Sequence, residues 1–243
     1  AQVMAGQKQM AIGGGIESMS RIGMGSSGML PAADPDVAIP SYFSPQGVAA
    51  DLISTKYGFT RTQCDQFAVD SHHKAAKAWA EGRFAKSVIP VKDVNGITIL
   101  DRDETVRPEA NMQALGALKP SFVMMGEQGG FDAVAIQGHP DVEFIEHMHH
   151  AGNSSGIVDG ASAVLVGSKA AGKKAGLTPR ARIVGFASLG SDLALTLTGP
   201  TDVTLKLFKN TKMSLKDIDL IEINEAFSSV VLRYLQSLDI DPD

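Results

Sequence analysis

The stretch Ile221–Val230, "IEINEAFSSV", decides how the chain is laid out. It continues the apolar pattern of "DIDLIEI" (217–223), which has the look of a buried strand. From Phe227 onward, Val230, Val231, Tyr234, Leu235 and Leu238 recur at helical spacing and mark one apolar stripe. Asn224 therefore falls where strand gives way to helix. Asn is among the best helix N-caps, and Glu225 in a first turn would complement the positive end of the helix dipole. A second reading places the carboxamide at the carboxyl end of a sheet strand, beside a helix N-terminus, where α/β domains bind ligands. A group that cannot ionise would serve there as a fixed dipole, holding water or a substrate oxygen.

Working outward, the C-terminal part alternates strand and helix: "ASAVLVGS" (161–168), "KAAGKKAG" (169–176), "ARIVGFASLG" (181–190), "PTDVTLKLFKNT" (200–211) and "DIDLIEI". Such alternation predicts a layered α/β domain with a mixed or mainly parallel sheet. The first residues read as a helix, a short strand and a glycine turn at Gly13-Gly14-Gly15. The middle is loop-rich with one strong helix, in which Thr60 and Gln63 form a capping box and Cys64, Phe67, Ala68, Ala75 and Trp79 supply a buried face. "KSVIPVKDV" and "GITIL" read as strands joined at Asn95-Gly96, and "EANMQALGALKP" as a short helix stopped by Pro120.

The 243 residues, 44% hydrophobic and 20% charged, make a globular protein of one or two domains that can bury a real core. A net charge of -5 gives no basic footprint for nucleic acid or an anionic membrane surface. No apolar run approaches the roughly 20 residues of a membrane span, and no signal peptide opens the chain, so the simplest location is cytoplasmic. One cysteine, Cys64, excludes an internal disulfide and reads as a small buried residue. The chain starts without Met and stops at "LDIDPD", where another element should follow, so a missing portion is expected at both ends.

Four ordered blocks, "GGGIESMS", "DETVRPEANMQALGALKPSF", "AGNSSGIVDGASAVLV" and "EINEAF", resemble the thiolases, the family of acetyl-CoA acetyltransferases and 3-ketoacyl-CoA thiolases. The similarity covers nearly the whole chain except 122–150 and corresponds to the interior of a thiolase. It implies a layered α/β/α core with an inserted loop domain: residues 1–21 end the first half, 22–151 form the loop domain that receives coenzyme A, and 152–243 begin the second half. In the family a cysteine takes up the acyl group, a second cysteine moves a proton, and a histidine and the "NEAF" asparagine polarise thioester oxygens. Asn224 matches that asparagine. Ser155 matches a serine on the pantetheine arm, Arg107 an arginine at the nucleotide end, and Phe227 a wall of the pocket. Taken without the resemblance, these are a turn serine, a surface ion-pair arginine and a core phenylalanine.

The family's nucleophilic cysteine, second cysteine and catalytic Gly-His-Pro have no counterpart in the expected places, so the polypeptide as it stands is expected to be inactive. Gly138-His139-Pro140 has the letters of that motif in the wrong block and reads as chance. "EFIEHMHH" (143–150) gathers Glu143, Glu146, His147, His149 and His150, but with no independent ligand set of familiar spacing it reads as a polar loop or partner-facing segment, with the alternative that one of these histidines, placed just before "AGNSSG", reaches the substrate pocket, and no metal or redox cofactor is expected. Pro45-Gln46-Gly47 replaces the His-Met-Gly of short-chain biosynthetic members and favours a degradative or broader specificity. The resemblance further implies a homodimer or homotetramer. Two other readings stand beside it: a non-catalytic coenzyme A-binding or assembly module, and an unrelated α/β protein.

Overall fold

The computed structural model describes residues 1–28 and 34–241. The expected N-terminal helix is absent: residues 2–6 form turns, broken at Gly6 with φ of 73°. A single turn without packing partners does not repay helix nucleation. Strand β1 (Met10–Glu17) then runs straight through the three glycines instead of turning at them. It pairs antiparallel with β4 (Gly160–Gly167), Gly14 opposite Ala163. A Cβ on Gly14 would fall 2.2 Å from the Ser162 carbonyl oxygen, so glycine is required here by close approach and not by a bend.

Between these strands lies the long middle excursion. Helix α1 (Pro35–Ala38) is capped by Asp34. Helix α2 (Gln46–Tyr57) is buried from Gly47 to Ser54 and ends at Gly58, whose φ of 75° provides the left-handed cap. Helix α3 (Arg61–Ala80) starts with the expected capping box: Gln63 N donates to Thr60 Oγ1 and Thr60 N donates to Gln63 Oε1. Its inner face is Cys64, Asp65, Ala68 and Val69, with Phe67, Ala75 and Trp79 half-buried at its margins. Strands β2 (Val91–Lys92) and β3 (Thr98–Leu100) make the hairpin, turned by Asp93 Oδ1 accepting from Asn95 N and Ile97 N, with Gly96 at φ 83°. Helix α4 (Met112–Gly116) is capped by Asn111. A π-helical turn (Met124–Gln128) and helix α5 (Phe131–Gly138) follow, in the stretch that matched no family block.

After β4 come α6 (Lys169–Lys174), capped by Ser168, then α7 (Gly199–Thr211), and finally α8 (Ser228–Leu238). Two strand expectations fail: 181–190 and 217–223 contain no β-strand, and Ile183, Val184 and Leu220 are exposed. Among the described residues each sheet has two antiparallel strands, not the mixed or mainly parallel sheet expected. An apolar alternation prepares a strand, but only a hydrogen-bonded neighbour makes one. No helix among the described residues is long and apolar enough to cross a membrane.

The core that positions the site is built on α2. Val48, Leu52 and Ile53 pack with Ala135, Val142, Ile145 and Leu195, each large aliphatic side chain contributing about 1.5–3 kcal/mol by burial. On the other side, Ala50 packs against Phe227 and Val230 of the α8 start. Small residues let these helices approach: Ser229 Oγ donates to the Ala50 carbonyl at 3.2 Å.

Candidate functional site

Phe227, not Asn224, is the N-cap of α8, in extended backbone at φ -147°. The capping reading of Asn224 is therefore corrected: the residue stands three positions ahead of the N-cap, exposed. It borders an open groove of about 470 Å³ whose walls include Val203, Leu207 and Phe208 of α7, Ile221, and Tyr234 of α8.

The segment holding Ser155 lies alongside. Ser154 pairs with Phe227 in an isolated antiparallel bridge, Ser155 N donates to the Ala226 carbonyl at 3.0 Å, and Ser228 N donates to the Asn153 carbonyl at 3.1 Å. Ser155 and Asn224–Phe227 are thus one locus, drawn from two distant parts of the chain. Arg107 joins the same face indirectly. Its backbone N–H donates to His72 Nδ1 at 3.3 Å, while Ser71, next to His72 on α3, donates through Oγ to Glu225 Oε2. Burial, and then the nearby Arg107 charge, press the His72 pKa below its ordinary value. Arg107 itself is exposed, its guanidinium donating to the Glu104 carbonyl at 3.0 Å. Gly156 lies near Thr105, so the loop carrying Arg107 runs beside the small-residue segment 152–156.

Beneath this face sits a polar cluster that sequence reasoning missed. Asp51, in the middle of buried α2, accepts from the backbone N–H of Met148 and of His149 through Oδ1. It also meets two imidazoles, His149 Nδ1 on Oδ1 and His147 Nδ1 on Oδ2, each at 2.7 Å. Burial opposes the Asp51 charge, but the hydrogen bonds from the two histidines outweigh it and hold the carboxyl below its ordinary range. His147 Nε2 also reaches Asp132 of α5 at 3.0 Å, and chiefly through the Asp51 bond its pKa is raised to about 9. His150 Nε2 meets Asp65 of α3 at 2.9 Å, and Arg61 clamps the other oxygen of the same carboxylate. Burial nonetheless lowers the His150 pKa. The segment 147–150 is the polar loop its letters suggested, but it is internal and not a partner-facing surface: His149 and His150 are fully buried. The signal was present in "GVAADLIS", an aspartate inside an apolar helix face, which demands an internal partner. Among the described residues no group of His, Cys, Asp or Glu has a geometry for holding a metal ion.

Neighbouring histidines with opposite shifts make a testable pH dependence. His147 has a folded pKa above its ordinary 6.5, so its contribution to stability is complete below about 6.5 and is lost as pH rises through about 9. His150, lowered, works the other way and costs stability as pH falls below 6.5. The urea midpoint is expected to fall between pH 6.5 and 9, and His147→Gln to flatten that fall. An unchanged slope in the variant would remove His147 as its source.

Cys64 is wholly buried on α3, and burial pushes its thiol up to about 12, which excludes it as a nucleophile at neutral pH. His139 of the Gly-His-Pro triplet ends α5 and pairs with Asp192 at 3.2 Å.

Residues 1–136 match the N-terminal domain of thiolase and residues 177–243 the C-terminal domain, and the chain belongs to the thiolase family. It is 34% identical over 247 residues to a 3-ketoacyl-CoA thiolase of Saccharophagus degradans, covering 99% of this chain and 57% of that protein. With a beta-ketoadipyl-CoA thiolase of Pseudomonas putida it shares 36% over 259 residues, covering 99% and 60%. Of solved structures, the dimeric peroxisomal thiolase of Saccharomyces cerevisiae superposes with a TM-score of 0.80 at 25% identity, over 99% of this chain and 57% of that one. The acetyl-CoA acetyltransferase of Bacillus anthracis gives 0.74 at 29%, over 99% and 59%. The fold is thus the α/β fold of thiolases, and the chain spans between 57% and 60% of the length of these relatives.

Proposed function

We propose that this chain is part of an acyl-CoA thiolase that forms or cleaves 3-ketoacyl-CoA. The observation that carries this is the meeting of Ser155, Ala226 and Phe227 through paired backbone, with Asn224 exposed beside them. In this reading residues 22–151 supply most of the coenzyme A cradle, between the end of one thiolase half (1–21) and the beginning of the next (152–243). The pantetheine arm lies along the small-residue segment 152–156 and contacts Ser155, whose exposed hydroxyl and glycine neighbours leave room for a narrow chain. Arg107 meets the nucleotide end, its exposed guanidinium exchanging the Glu104 carbonyl for phosphate. Phe227 forms the pocket wall.

In the cleavage direction a cysteine thiolate adds to the C3 carbonyl, and the C2–C3 bond breaks. The departing acetyl-CoA takes up a proton at C2. The acyl-cysteine is then attacked by the thiol of a second coenzyme A, which releases the shortened acyl-CoA and regenerates the thiolate. Asn224 holds a water against the oxygen that gains charge. The acyl-bearing cysteine is not Cys64, whose thiol is buried and undissociated, and belongs to the remainder of the protein. A homodimer or homotetramer in the cytoplasm completes the reading, the yeast relative being described as dimeric.

The test is incubation of the complete protein with a 3-ketoacyl-CoA and free coenzyme A, with acetyl-CoA as the product measured. Coenzyme A binding without turnover would replace the enzyme by a binding or assembly module.

A further inference from the structure

The three histidines of the buried segment, His147, His149 and His150, separate into two kinds. His147 engages both ring nitrogens, Nδ1 with Asp51 and Nε2 with Asp132. His150 does the same, Nε2 with Asp65 and Nδ1 accepting from Gly152 N at 3.0 Å. His149 engages only Nδ1, with Asp51; its Nε2 is buried and has no partner. Among the described residues the other buried side-chain polar atoms without a partner are Ser154 Oγ and Asp132 Oδ1. His149 and Ser154 share a neighbour. The His149 ring stands edge-to-face against Phe227, with centroids 5.4 Å apart at 80°, and Ser154 is the bridge partner of Phe227. Phe122 also stands edge-on to Phe227 at 5.8 Å, and Ala50 and Val230 share its apolar cluster.

We infer that His149 is a specificity-determining residue for the acyl part of the substrate, selecting chains that carry an oxygen function, a hydroxyl or a carboxylate, over plain alkyl chains. This rests on the thiolase reading above. Phe227 follows Asn224 by three residues and is the pocket wall in that reading, so an acyl group passing the thioester meets Phe227 next and His149 beneath it. A plain alkyl chain pressed there leaves Nε2 unmet. An oxygen placed there completes the imidazole, which accepts from a hydroxyl when neutral or donates to a carboxylate when protonated. Asp51 acts as the positioning residue. Its carboxylate receives Nδ1 of His149 and the backbone N–H of the same residue, which fixes both the ring orientation and the nitrogen left open. A site built to bond a polar atom discriminates against the analogue that lacks it far more strongly than an apolar pocket discriminates by size.

The experiment compares kcat/KM of the complete protein for 3-ketohexanoyl-CoA and for its counterparts with a terminal hydroxyl or carboxylate. The ratio between substrates does not depend on how much of a variant folds, so it serves for damaged variants too. The unsubstituted protein is expected to favour an oxygenated substrate by about tenfold or more. His149→Leu is expected to erase that preference and His149→Gln to keep part of it. A ratio unchanged within about twofold in His149→Leu overturns the inference while leaving the thiolase reading intact, and assigns Nε2 a purely internal role. Turnover of none of the substrates by the unsubstituted protein overturns the thiolase reading and this inference with it.

Discussion

Replacing Asn224 by alanine in the complete protein is expected to lower kcat by about 10²–10³-fold, the range seen when one fixed donor to a developing oxyanion is removed. The unfolding midpoint should barely respond, by no more than about 0.5 kcal/mol. The separation is possible because Asn224 is exposed and the cap of α8 is Phe227, so the carboxamide holds up no helix. Steady-state kinetics with a 3-ketoacyl-CoA and coenzyme A, together with urea unfolding of the same preparation, checks both halves. A stability loss of about 1 kcal/mol with undiminished turnover per folded molecule would restore the capping role and end the catalytic one.

The second large effect concerns stability alone. Asp51→Ala removes one carboxylate and strands four donors, two of them backbone N–H groups and two imidazole nitrogens, in a fully buried place. His147, held charged well above neutrality by this partner, becomes a buried cation with only Asp132 beside it. Breaking a buried ion pair from one side costs about 3–5 kcal/mol, a large fraction of the stability of most domains. The surface pair of Lys56 with Asp141, whose carboxylate is 63% exposed, provides the contrast, and Asp141→Ala should cost under about 1 kcal/mol. Urea unfolding of both variants at pH 7 decides the matter. Equal midpoints would show that the Asp51 network is no stronger than a surface contact.

What the sequence disclosed was local. The capping box of Thr60 and Gln63, the turn at Asn95-Gly96 and the helical stripe from Phe227 each involve residues within a few positions of one another, and each is found as expected. Pattern failed wherever the deciding partner was remote. Gly13–Gly15 read as a turn because nothing nearby announces the strand at 160–167 that they lie against. The 181–190 segment read as a strand because alternation says nothing of whether another strand will pair with it. Of the candidate site, Asn224, Ser155, Arg107 and Phe227 were singled out by resemblance, and their residue types alone favoured blander roles. The Asp51 cluster stayed hidden because its histidines lie 96 and 98 positions away. Adjacent histidines in a polar stretch look like surface until the buried carboxylate is known.

The antiparallel pairing of β1 with β4 has an evolutionary corollary. Ser20 donates to Asp159 through both its backbone N–H and its hydroxyl, so the excursion leaves and rejoins the sheet at one stapled root. A segment anchored in this way can lengthen, shorten or be exchanged without disturbing the strands that carry it. The π turn and α5 lie within that excursion, and α5 sends Asp132 to His147 in the buried cluster. Remodelling of this one appendage would therefore leave the β1–β4 pair that carries it in register.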